Sequence, residues 1–116
     1  MANFYADNVD MQFYMEKGID WKRLVEITEY FYRSPDGFES APEAVDFYRE
    51  IIDLVGNFSA EEIAPYSAQL DQEGVEFKDG EASFPPRLQG IFDRIKEMEL
   101  HGMCIPRELG GQNCPL

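Results

Sequence analysis

Chemistry in this chain would have to come from few residues. The single histidine, His101, stands close to the only two cysteines, Cys104 and Cys114. Imidazole and thiolate are the groups that most readily act as base, nucleophile or metal ligand near neutral pH, but the spacing argues against each role. The cysteines do not form a Cys-x-x-Cys pair, and three ligands are too few for a closed zinc site unless a carboxylate joins them. Two reduced thiols and no metal are therefore expected. His101 falls in the last turn of a predicted helix, where its cationic form would complement the helix dipole, and no serine or cysteine in a nucleophile-type context accompanies it. The acid pairs Glu61-Glu62 and Glu97/Glu99 would need a pocket to move them towards the working pH, and they read more economically as solvated helix faces. Gly110-Gly111 lacks the preceding strand and the lysine of a phosphate-cradling loop, so it reads as a tight turn. The residues thus identify no catalytic group and no metal ligand.

Composition narrows the partners. Ten basic against 23 acidic residues give a net charge of −13, which repels phosphate and so argues against nucleic acid or an anionic membrane. The acids are scattered rather than blocked, as on a soluble face. No apolar run approaches the roughly 18 residues that span a bilayer, and "MANFYADNVD" lacks the basic start and apolar middle of a signal peptide. A cytoplasmic protein without a membrane span is expected. A chain of 116 residues that is 44% hydrophobic has the material for one core.

The elements that would position these residues follow from periodicity. Residues Asp7 to Gly18 predict a short helix. Asp20 reads as an N-cap, and Trp21, Leu24, Val25, Thr28, Phe31 and Tyr32 form an apolar stripe at helical spacing, ending before the turn cluster Ser34-Pro35-Asp36-Gly37. Ser40-Ala41-Pro42-Glu43 has the form of a capping box. The helix behind it, with Ala44 to Phe58 apolar on most sides, is expected to be buried between neighbours and to continue with a kink at Pro65 to about Gln72. Ser59-Ala60-Glu61-Glu62 is an alternative start for a separate helix. Val75 to Phe84 changes to a period of two around Asp79-Gly80, the signature of a hairpin. Pro85-Pro86 then opens a last helix with the face Leu88, Ile91, Phe92, Ile95 and Met98, for which Gly102 is the expected left-handed cap. The fold class is all-α: a bundle of about four helices, a small β-hairpin before the last helix, and a C-terminal loop tail.

Three stretches, "EEIAPYSAQLDQEG" (61–74), "FPP" (84–86) and "MELHGMCIPRELGGQNCPL" (98–116), resemble in order and separation the N-terminal helical domain of the acyl-CoA dehydrogenase family. The hairpin before "PP" and the element Asp10-Met11-Gln12-Phe13 resemble the larger bacterial long-chain branch. Arg107 and Leu109 stand where the family pattern has an acid and an aromatic residue, and Asn113-Cys114 where it has a glycine and a small residue. The resemblance implies a three-domain enzyme, with a middle β-barrel and a C-terminal helical domain beyond this incomplete N-terminal domain. It also implies α,β-desaturation of a fatty acyl-CoA with flavin adenine dinucleotide (FAD) as cofactor and an electron-transfer acceptor.

Because the family's catalytic glutamate and most flavin contacts lie in the other domains, the resemblance carries no catalytic or cofactor-binding residue onto these positions, and no cofactor is expected on this chain alone. Pro106, Gly110 and Gly111 are expected to shape a turn that leads towards the acyl pocket. Apolar surface meant for the other domains is expected to make the isolated chain self-associate. The alternative reading is a stand-alone acidic helical interaction module.

Overall fold

The computed structural model describes residues 2–115. Asn8 opens the first helix, its Oδ1 accepting the amides of Asp10 and Met11. Helix α1 (Val9–Phe13) widens into a π turn at Tyr14–Gly18. The Asp20 carboxylate accepts the Arg23 amide at 3.2 Å and starts α2 (Trp21–Thr28).

The predicted stripe outlasts this helix. The rod ends at Thr28, and Tyr30, Phe31 and Tyr32 all take left-handed backbone angles (φ 51°, 56° and 60°), a conformation that costs an L-residue about 1–2 kcal/mol. The reversal turns Phe31 to solvent and leaves Glu29 wholly buried.

Helix α3 (Ala41–Phe58) begins at Ser40, whose Oγ accepts the Glu43 amide at 3.4 Å. The return arm of the capping box reaches one residue further than expected, since Glu43 Oε2 accepts the amide of Glu39. Ser59 does not start a new helix. The rod runs on through a π turn (Ser59–Ile63) and a 3-10 turn (Ala64–Tyr66) into α4 (Ser67–Glu73), the long kinked helix that Pro65 predicts. Proline supplies no amide hydrogen and crowds the preceding turn, so the ladder loosens before it. The Glu62 carbonyl is taken by Arg87 Nη2 at 3.1 Å, and the Arg87 guanidinium lies 3.5 Å from the centre of the Tyr66 ring.

The hairpin pairs β1 (Glu76–Lys78) with β2 (Glu81–Ser83) across Asp79-Gly80, both at positive φ. Helix α5 (Pro86–Glu97) follows. Its left-handed terminator is Glu99 (φ 56°), not Gly102. Gly102 is instead buried against the tail.

In the core, Tyr5, Met15, Val25, Ala44 and Tyr48 pack with Trp21, Tyr32 and Phe38. Asn3 ties the N-terminal segment to α3 by donating to the carbonyl and carboxylate of Asp53. Helix α3 is less enclosed than its sequence suggests. Ala44, Tyr48, Gly56 and Phe58 are buried, Ile51, Ile52 and Val55 are half-buried, and Leu54 is exposed.

The result is a slab, 52 × 34 × 17 Å, with a radius of gyration of 17.6 Å where a compact chain of this length has about 13 Å. Its accessible surface of 8286 Å² exceeds by about 1,800 Å² the roughly 6,500 Å² of a compact monomer of this mass.

Candidate functional site

The structure concentrates its unusual chemistry where the C-terminal tail meets the end of α2. Arg107 lies in a 3-10 turn (Arg107–Leu109) opened by Pro106 and closed by Gly110 at φ 87°. From there its guanidinium forms a two-pronged pair with Glu29, Nη1 to Oε2 and Nη2 to Oε1, each 2.7 Å. Glu29 has no exposed surface, and the Arg107 side chain is 22% exposed. The fork geometry of arginine matches a carboxylate's two oxygens. The hydrogen bond to Glu29 holds Arg107 protonated above its ordinary range, against the opposing effect of burial. The far face of the guanidinium lies 5.0 Å from the Phe38 ring centre, and Asn113 Nδ2 donates to the Thr28 carbonyl at 3.1 Å. Arg107 and Asn113 therefore both hold the tail to the end of α2.

Under this clamp lies an apolar cleft of about 270 Å³, walled by Met15, Trp21, Tyr48, Ile52, Met103 and Cys114 among others. Trp21 is fixed by its indole N–H, which donates to the Met15 carbonyl at 2.6 Å. The Tyr48 hydroxyl is buried and has no hydrogen-bond partner among the described residues. Burial, and next the negative charge of Glu29, push its ionisation up to about 12. Burial also raises the Cys114 thiol, with the neighbouring Cys104 as the second cause. No carboxylate or imidazole lines the cleft, so its walls offer apolar contact and no general base.

Of the residues singled out in the sequence, Cys104 and Cys114 both line the cleft, and the others do not join them. His101 is exposed in a 3-10 turn, and Cys104 is exposed at the cleft edge. Glu61 accepts from Asn57 at 3.2 Å, Glu62 lies 3.7 Å from Arg94, and Glu97 pairs with Arg94 at 2.7 Å. Among the described residues no three His, Cys, Asp or Glu side chains are placed to hold a metal ion, and no helix is long and apolar enough to cross a membrane.

The FAD that the family resemblance implies needs donors for a diphosphate. Arg107 holds the tail near the cleft, and its charge is neutralised by Glu29. The apolar walls and small volume do not fit a dinucleotide. Gly110 and Gly111 shape the tail instead: Pro106 O accepts the amides of Leu109 and Gly111, and a Cβ on Gly111 would overlap the Ile105 carbonyl.

Glu29 carries no motif that marks it in the sequence. It lies four positions after Val25, on the apolar stripe itself. A charge on a buried stripe implies a partner, although the stripe does not say which.

The family model "Acyl-CoA dehydrogenase, N-terminal domain" matches residues 46–116. This span covers most of α3, the kink, the hairpin, α5 and the tail. Glu29, Met15, Trp21 and the element Asp10 to Phe13 lie outside it, so the clamp and the cleft join the matched part to the unmatched part. No curated protein and no solved structure matches the chain. The match extends over more than half of the sequence and agrees with the helix-hairpin-helix order, and the chain belongs to the acyl-CoA dehydrogenase family, carrying its N-terminal domain.

Proposed function

We propose that this chain is the N-terminal wall of an FAD-dependent acyl-CoA dehydrogenase that desaturates a fatty acyl-CoA at its α,β bond, and that the chain supplies packing surface rather than reacting groups. The family match over residues 46–116 carries this reading. The surface supports it. An excess of about 1,800 Å² on one partner corresponds to roughly 3,600 Å² buried in total, within the range of obligate interfaces. Phe77, Phe84 and Phe92 stand exposed along the hairpin and α5, with Phe84 and Phe92 stacked at 5.2 Å. Aromatic rings are the side chains that most often anchor such interfaces.

In this reading the middle barrel and C-terminal helical domain cover that face. They hold the flavin, whose redox chemistry accepts the substrate hydride, and they carry the base. The donor set at the cleft does not fit FAD, so no step of the reaction is assigned to residues here. The test is to express the product of the complete reading frame and add a fatty acyl-CoA without oxygen. Bleaching of a bound flavin is expected. A product that binds no flavin, or whose flavin stays oxidised with every acyl chain length, overturns the proposal.

A further inference from the structure

We infer that Cys104 and Cys114 form a reversible disulfide that closes the tail into a covalent loop beside the apolar cleft. The inference rests on the local geometry of residues 102–115 and stands apart from the flavoenzyme reading.

The backbone brings the two residues together. The Cys114 amide donates to the Met103 carbonyl at 2.8 Å. Adding the standard bonds on either side gives an upper limit of about 8 Å between the Cα atoms of residues 104 and 114, were every link collinear. The fixed angles of the planar peptide and of the Cys114 nitrogen shorten that path towards the window of about 4.4–6.8 Å that a disulfide spans. Two further bonds hold the register: Gln112 N to Gly102 O at 3.0 Å and Asn113 N to Ile105 O at 2.9 Å. Gly111 permits the approach, since a Cβ there would overlap the Ile105 carbonyl.

The side chains share one space as well. Both cysteines line the same cleft, and the thiols are close enough that charge on Cys104 disfavours ionisation of Cys114. Their exposures divide the roles, because Cys104 is exposed and Cys114 is half-buried. A low-molecular-weight disulfide such as glutathione disulfide is the oxidant. The Cys104 thiolate attacks one of its sulfurs and releases one thiol, leaving a mixed disulfide. Cys114 then loses its proton and attacks Cys104 Sγ, displacing the second thiol. Two protein thiols are oxidised, and one small disulfide is reduced to two thiols.

The closed loop contains Arg107, so oxidation holds the Glu29 partner in place and fixes the Cys114 wall of the cleft. The test equilibrates the full chain with glutathione at graded redox ratios, blocks free thiols, and digests with trypsin. Cleavage after Lys96 and Arg107 separates Cys104, in 97–107, from Cys114, in 108–116, so a linked peptide pair reports the bond. The expected result is that linked pair, with a native-state equilibrium at least tenfold more favourable than in concentrated urea, a shift of about 30 mV. Cys104→Ser is expected to leave only a mixed disulfide on Cys114, formed more slowly. Because Cys104 is exposed, this variant tests the pairing even if Cys114→Ser fails to fold. Separate mixed disulfides on the two cysteines of the native protein, links between chains, or equal native and urea equilibria would overturn the inference.

Discussion

Replacing Arg107 by methionine should destabilise the fold more than any other single change to the tail's polar side chains. The substitution keeps most of the apolar stem and removes two hydrogen bonds of 2.7 Å to a carboxylate that has no solvent exposure. Leaving one partner of a buried ion pair uncompensated costs about 3–5 kcal/mol. Arg107 is 22% exposed, so water screens the pair on one side and lowers the figure. Loss of the contact with Phe38 adds roughly 0.5 kcal/mol.

The expected penalty is therefore about 3 kcal/mol, which should lower the urea midpoint by roughly 1.5–3 M for a domain of this size. Trp21, the sole tryptophan, packs at the cleft and reports the transition by fluorescence. Combining Arg107→Met with Glu29→Leu should recover most of the loss, since an apolar pair no longer strands a charge. A midpoint for Arg107→Met indistinguishable from the parent, or a double variant as weak as the sum of the two single ones, would refute the reasoning.

Further outcomes follow from the same structure. Tyr48 titrates at about 12 when folded and near 10 when unfolded, so its neutral form favours the fold. That contribution, roughly 2–3 kcal/mol, is complete below pH 10 and fades between about pH 10 and 12. Phenolate absorbance should show one of the six tyrosines lagging until the chain unfolds, and Tyr48→Phe, which removes an unpartnered hydroxyl, should leave stability unchanged or raise it by about 1 kcal/mol. The helical glycines should diverge. Gly90→Ala meets nothing within 4 Å and should stabilise α5 by about 0.5–1 kcal/mol, whereas Gly56→Ala drives a methyl into Asn3 and the Tyr5 backbone and should lower the melting temperature. Sedimentation of the isolated chain should show dimers or larger species that Phe77→Lys and Phe92→Lys together reduce, and a clean monomer at high concentration would contradict the interface reading.

Much of the architecture was legible from local signals. Asp20, Ser40, Asp79-Gly80 and Pro85-Pro86 act where their chemistry predicts, because caps and turns are decided by a few adjacent residues. The reversal after Thr28 was not legible. Phe31 and Tyr32 continue a helical stripe, and the contacts that meet the chain where it reverses come from far along the sequence, Arg107 on Glu29 and Asn113 on the Thr28 carbonyl. Gly102 differs from expectation for a related reason: Glu99 takes the left-handed cap, and the glycine lies buried beside the tail instead. The clamp itself spans 78 positions. Its sequence trace is an acid on an apolar stripe at Glu29.

The central claim is that this chain contributes surface to a flavoenzyme and no reacting group of its own. The most direct measurement passes the purified 116-residue chain through gel filtration after incubation with FAD, then adds a long-chain acyl-CoA and a dye acceptor. The account predicts that the chain elutes without flavin and the dye is not reduced. Retained flavin, together with dye reduction that depends on the thioester, would contradict it.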